Sequence, residues 1–135
     1  MKPFLFACSL LLPVFAWSQA IKVEVRQNNG TWELVRENQP YYIKGAGGHT
    51  QMDKLVELGG NCVRTWSTDN AREILDEAHA KGLTVMMGLW VQHERHGFDY
   101  NNKGKVAAQL DGFRKVVSEL KDHPALLLWG VGNEV

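Results

Sequence analysis

Apolar and polar residues alternate from Ile21 to Arg26, with Ile21, Val23 and Val25 on one side and Lys22, Glu24 and Arg26 on the other. A period of two predicts a half-exposed strand. Asn28-Asn29-Gly30 is a hairpin signal. Trp32, Leu34 and Val35 continue on the return strand, and Asn38-Gln39-Pro40 predicts a second turn. From Tyr41 the rhythm changes to short apolar runs separated by stretches with helical spacing. Tyr41–Gly45 predicts a strand, and Gly45-Ala46-Gly47-Gly48-His49 a flexible loop. A helix is expected from Thr50, with Asp53 in its first turn, Met52, Leu55 and Val56 on one face, and Gly59-Gly60 as its stop.

Cys62–Trp66 predicts the next strand. Thr68, Asp69 and Asn70 are candidate caps for a second helix, with Glu73 placed to complete a capping box on Asn70. Ala71, Ile74, Leu75 and Ala78 form its apolar stripe at i, i+3, i+4 and i+7, and Lys81-Gly82 ends it. Leu83–Trp90 predicts a third strand. A polar loop from Val91 to about Lys103 follows, longer than the roughly two to six residues usual for such a connection. The third helix is expected to bury Val106, Leu110, Phe113, Val117 and Leu120 and to stop before His123-Pro124. Leu126–Leu128 is continuously apolar, which suits a strand covered on both faces. The order β-α-β-α-β-α-β predicts a parallel sheet with helical crossovers. Four strands do not close a barrel, and no fourth helix covers the last of them. The expected fold class is therefore α/β: a β-hairpin over residues 19–40, then the N-terminal half of a (β/α)8 barrel over residues 41–135, cut after its fourth strand.

A chain of 135 residues is enough for one small domain. Lys and Arg number 15, as do Asp and Glu, so no charge excess points to nucleic acid or an anionic membrane as partner. Five Trp suit sugar-stacking surfaces, although Trp is also an ordinary core residue. Lys2, the apolar run Phe4–Trp17 interrupted by Pro13, and Ala16-Trp17-Ser18 predict a signal peptide over residues 1–18, cleaved before Gln19. The run is shorter than the roughly 20 residues of a membrane span, and too little apolar sequence precedes Cys8 for a lipoprotein signal. The expected location is secreted or periplasmic. Cleavage leaves Cys62 as the one cysteine, expected as a core thiol without an internal disulfide.

Asn133 and Glu134 stand at the C-terminal end of the last expected strand, the end where open α/β sheets and (β/α)8 barrels carry their chemistry. His93-Glu94-Arg95-His96 is not His-Glu-x-x-His, because the second histidine arrives one residue early. A zinc site from His49, His93 and His96 stands as an alternative. Gly45–Gly48 lacks the third spaced glycine and the lysine of a phosphate-cradling loop. The leading reading has no cofactor and no metal.

Tyr42-Ile43-Lys44-Gly45, Gly60-Asn61-Cys62-Val63-Arg64, Ala80-Lys81-Gly82-Leu83, and His123-Pro124 through Gly132-Asn133-Glu134 occur in the order found in a clan A glycoside hydrolase barrel. From Tyr41 to Glu134 the chain resembles the first half of that barrel. The nearest likeness is to the family 2 catalytic domain (β-galactosidase, β-mannosidase and β-glucuronidase), with family 5 and the β-glucanosyltransferases as relatives. The resemblance implies that Glu134 is the general acid/base, that Asn133 holds the sugar 2-hydroxyl, and that Arg64 supports the nucleophile carboxylate. It places the nucleophile, a second glutamate, on a seventh strand outside this sequence. His49, Trp66, Trp90 and His93 fall at or just past strand ends, placed to stack on or hydrogen-bond a sugar, or else to pack the rim. The loop holding His93, Glu94, Arg95, His96, Asp99 and Tyr100 is expected to shape a subsite. The implied activity is hydrolysis of O-glycosidic bonds in oligo- or polysaccharides with retention. Glycosyl transfer to another sugar, or an inactive carbohydrate-binding fragment, are the alternatives. An acid of this kind must keep its proton, and the apolar strand before Glu134 is expected to supply a dry wall.

Overall fold

The computed structural model describes residues 20–134. The expected signal peptide and Cys8 lie outside the described residues, as does Val135. Strands β1 (Val23–Asn28) and β2 (Thr31–Arg36) pair antiparallel, with Val25 opposite Leu34 and Asn28 opposite Thr31. Asn29 and Gly30 both have positive φ, 48° and 83°, the pattern of the two-residue turn whose twist matches that of a hairpin. The second turn falls earlier than expected. Glu37 and Asn38 make it, at φ 53° and 63°, and Gln39–Pro40 form a short β3 paired with β2. Asn38 tolerates the left-handed conformation, and Pro40 loses no ladder bond on an edge strand. Of the hairpin's apolar residues Val35 is fully covered, while Val25 lies exposed.

The second sheet has four parallel strands in the order β4 (Gly45–Gly47), β5 (Cys62–Arg64), β6 (Thr84–Leu89) and β7 (Leu126–Val131). Helices α1 (Met52–Glu57), α2 (Ala71–Ala80) and α3 (Lys103–Leu120) are the crossovers. β4 begins where the expected strand ends. Tyr42–Lys44 is held mainly by the side chain of Asn61: Lys44 N–H donates to Asn61 Oδ1 at 2.8 Å, Asn61 Nδ2 donates to the Tyr42 carbonyl at 2.9 Å, and one backbone bond, from Asn61 N–H to the Lys44 carbonyl at 2.8 Å, adds to them. The glycines expected to loosen a loop are in the sheet, because a Cβ on Gly45 would sit 2.8 Å from the Cys62 carbonyl oxygen.

Glycine ends two helices as expected. Gly59 and Gly82 take φ of 76° and 71°, and Gly60 and Leu83 N–H reach back to the Leu55 and Ala78 carbonyls at 2.8 Å. The expected N-caps do not form. Gln51, not Thr50, precedes α1, and neither Gln51 nor the left-handed Asn70 makes a side-chain cap bond, so the capping box with Glu73 is absent. α3 alone of the three is capped, by Asn102 Oδ1 accepting from Lys105 N–H at 3.1 Å.

The core lies between the sheet and α2. Ala71, Ile74, Leu75 and Ala78 pack with Met52, Val63, Val85, Met87 and Leu126, and Cys62 is a buried free thiol. α3 departs from expectation. Of its five predicted core residues Leu120 is buried, while Leu110 is 45% exposed and Val106, Phe113 and Val117 are half-buried. The helix stands off, leaving a groove of about 760 Å³ lined by Phe113 and Val116 on one side and Trp90 and Phe98 on the other. β7 is covered over Leu126 and Leu127, but its far end opens out, with Val131 68% exposed.

Polar contacts fix the orientation of the layers. Tyr41 Oη lies 3.0 Å from both the Asn61 carbonyl and Thr84 Oγ1, and Arg36 Nη2 donates to the Pro124 carbonyl at 3.0 Å. These partners sit at the N-terminal ends of β5, β6 and β7, so the antiparallel sheet docks at the end opposite Glu134. Burial pushes the Tyr41 phenol above its usual range. Buried His123 ties β7 to α2: its Nδ1 accepts from Ala125 N–H at 3.1 Å, so Nε2 carries the proton and donates to Asp76 Oδ1 at 3.0 Å.

Candidate functional site

The C-terminal ends of β5, β6 and β7 carry the residues of interest. Arg64 closes β5 and shares its register with Gly47 and Met86, on the sheet face opposite the one Val63 buries against the helices. Its Nη2 donates to Asn133 Oδ1 at 2.9 Å, and its guanidinium carbon lies 5.5 Å from the centre of the Trp66 ring. Asn133 reaches that point because Gly132, at φ 74°, turns the chain past β7 while its N–H donates to the Leu89 carbonyl at 2.9 Å. Trp66 is set by the strand next to it. A Cβ on Gly88 would lie 2.3 Å from the Trp66 carbonyl carbon, so only glycine admits this crossing. Thr65 Oγ1 locks it, accepting from Gly88 N–H at 3.0 Å and donating to the Ser67 carbonyl at 2.9 Å.

Glu134 follows in a left-handed conformation, φ 53°, and its side chain is 75% exposed. The expected dry wall is not there. Gly132 and Glu134 itself swing the chain outward beyond the last covered turn of β7, so the apolar strand ends below the carboxylate. Arg95 Nη2 lies 3.7 Å from Glu134 Oε2, and with both groups exposed this pair is weak. The two face a cavity of about 360 Å³ that Gln92, His93, Glu94 and Tyr100 complete.

The loop after β6 forms the wall of that cavity. Trp90, His93 and His96 stack in near-parallel sequence, at 5.0 Å and 5.2 Å between ring centres. His93 is the middle ring, 5% exposed, and among the described residues its Nε2 has no hydrogen-bond partner. Both backbone polar groups of Gln92 are engaged: its N–H donates to Gln109 Oε1 at 2.7 Å, and its carbonyl accepts from Tyr100 Oη at 2.5 Å. A turn of 3₁₀ helix over Glu94–His96 carries Arg95 to the cavity.

The seven candidate residues thus fall into connected groups. Arg64, Trp66 and Asn133 touch one another; Glu134 and His93 share a cavity; Trp90 joins them only through its stack on His93 and otherwise faces the α3 groove. His49 lies on a separate cavity of about 320 Å³ with Trp66, Thr65 and Asp69. Arg95 and Tyr100, read from sequence only as part of a long loop, prove to be neighbours of Glu134; the length and the aromatic-charged mixture of that loop were the available signal. The three-histidine zinc site is not formed. His93 and His96 stack face to face, His49 sits elsewhere, and among the described residues no three His, Cys, Asp or Glu side chains are placed to hold a metal ion. Also among the described residues, no helix is long and apolar enough to cross a membrane. No protein-family model matches the chain.

Proposed function

We propose that this chain carries the acid/base side of a retaining glycoside hydrolase, as the N-terminal half of a (β/α)8 barrel exported to the periplasm or the exterior. The observation that carries the reading is the Arg64–Asn133 hydrogen bond, which joins the ends of two non-adjacent parallel strands beside Glu134. In this reading Glu134 protonates the leaving glycosidic oxygen and later takes a proton from the attacking water. Asn133 holds the 2-hydroxyl of the sugar undergoing cleavage, and Arg64 orients it while presenting positive charge to the nucleophile. Trp66, stacked with Arg64, offers an exposed ring face to the sugar, with His49 beyond it. Trp90 and His93 support the wall of the Glu134 cavity.

The nucleophile is a second carboxylate about 5–5.5 Å from the first, which the family resemblance puts on a seventh strand outside these residues. Substrates are oligo- or polysaccharides, and no cofactor takes part. The test is Glu134→Gln in a protein that includes the second carboxylate, assayed on aryl glycosides. Turnover of poor leaving groups should fall about 10²–10⁴-fold, with a much smaller loss for a good leaving group. Unchanged turnover of both removes Glu134 from the acid role.

A further inference from the structure

We propose that the outer edge of β1 is a self-association surface, on which a second copy of this chain adds its own β1 antiparallel, with Val25 opposite Val25 of the other copy. β1 lies at the edge of the three-stranded sheet, and among the described residues no strand pairs with its outer side. The ladder to β2 fixes which groups point outward. Asn28 pairs with Thr31 across the two-residue turn, and Glu37 N–H donates to the Lys22 carbonyl at 2.9 Å. Backbone groups alternate along an antiparallel strand, so Lys22, Glu24, Arg26 and Asn28 bond toward β2. Val23, Val25 and Gln27 therefore turn their N–H and C=O groups away from it. Such a row is a template for another strand.

The side chains select the occupant. Charges along β1 alternate in sign, with Lys22 and Arg26 both in contact with Glu24. When two copies pair antiparallel about Val25, Glu24 of each stands opposite Arg26 of the other, and Val23 stands opposite Gln27. Both charge pairs are of opposite sign, and they fall at non-hydrogen-bonded positions, where side chains come closest. Each outward N–H of one copy meets an outward carbonyl of the other. A parallel copy in register instead sets Glu24 on Glu24 and Arg26 on Arg26, which like-charge repulsion penalises. On the other face of the sheet Val25 lies with Leu34 and Trp32, and Val25 is 63% and Trp32 67% exposed. Pairing sets Val25 against its own copy there. The resulting contact is two-fold symmetric and closed. It lies on the sheet docked at the end opposite Glu134, so it stands apart from the catalytic reading.

Sedimentation velocity on the chain from about 10 μM to about 500 μM should show a reversible dimer with a dissociation constant of about 100 μM. Amide hydrogen exchange at Val23, Val25 and Gln27 should slow as concentration rises. Glu24→Arg alone and Arg26→Glu alone each set like charges opposite one another in the dimer, and each should weaken it about tenfold. An equimolar mixture of the two variants should restore it, because every pair across the contact is then of opposite sign. Val25→Pro, at a position whose N–H makes no bond to β2, should abolish the dimer with the far-ultraviolet circular dichroism unchanged, and it keeps the test decisive if a charge variant misfolds. The proposal is overturned by a chain that stays monomeric throughout, by a dimer whose Val25 amide exchanges at the monomer rate, by Val25→Pro that still dimerises, or by a mixture no tighter than its components.

Discussion

Leu75→Ala and Leu110→Ala make a matched pair on α2 and α3, and the structure separates them sharply. Leu75 is completely buried, at the centre of the cluster formed with Val63, Val85 and Met87. Removing its branched end takes away the transfer free energy of the side chain and leaves an enclosed void, together about 2–5 kcal/mol. Leu110 is 45% exposed and is not part of the buried cluster or of the residues packed against it. Only part of its roughly 1.5–3 kcal/mol of burial is present, no enclosed cavity follows, and alanine is the better helix former. The expected loss there is about 1 kcal/mol or less. Urea unfolding followed by far-ultraviolet circular dichroism reads the difference. With an m-value of about 1–3 kcal/mol per molar and unchanged between variants, Leu75→Ala should lower the midpoint at least about 0.3 M further than Leu110→Ala, and about 1.5 M further at the middle of these ranges. Equal losses would mean that α3 is docked as firmly as α2, and the account of the core would be wrong.

Three further outcomes follow from individual residues. Gly88→Ala drives a Cβ to 2.3 Å from the Trp66 backbone, so it should destabilise by about 3 kcal/mol and disturb the Trp66 indole signal in NMR spectra; an unchanged melting temperature contradicts the crossing described for β5 and β6. Gly112→Ala adds a methyl that meets nothing within 4 Å, so it should stabilise by about 0.5–1 kcal/mol in thermal melts, and a loss would reveal a partner for α3 at that point. Tyr41 is held above its ordinary pKa by burial, so the folded state keeps its proton at a pH where the unfolded chain has released it. Its contribution is therefore flat below about pH 10 and declines as pH rises from there toward the higher folded value. Tyr41→Phe should lose about 1 kcal/mol at neutral pH with the Asn61 and Thr84 contacts and should flatten part of the alkaline decline in a pH series of urea midpoints.

Much of the fold was readable because it rests on strong local signals. The 3.6-residue stripe on α2 buried every residue it named, and Gly59, Gly82 and Asn29-Gly30 turned the chain where left-handed backbone was needed. What was not readable depended on partners distant in sequence. The glycines of β4 look like a loop until Cys62 is seen to press against Gly45. The Tyr42–Lys44 segment looks like a strand until the Asn61 side chain is seen to hold it. Periodicity marked an apolar face on α3 but not whether anything would cover it. At the site, the expected resemblance singled out Arg64 and Asn133 one by one, but their hydrogen bond spans a sheet and no local pattern encodes it. Glu134 lies past Val131, the last residue of β7, and its exposure follows from a left-handed turn that no side-chain pattern announces.

The central claim is that Glu134 delivers a proton to the departing oxygen, and azide rescue tests it most directly. In a protein that includes the second carboxylate, Glu134→Ala should cleave a poor leaving group very slowly yet still form the glycosyl intermediate from an activated aryl glycoside. Azide, small enough for the space left by the glutamate and needing no general base, should restore turnover and give a glycosyl azide of retained anomeric configuration. Hydrolysis of the poor leaving group at the wild-type rate, with no azide adduct formed, would contradict the account.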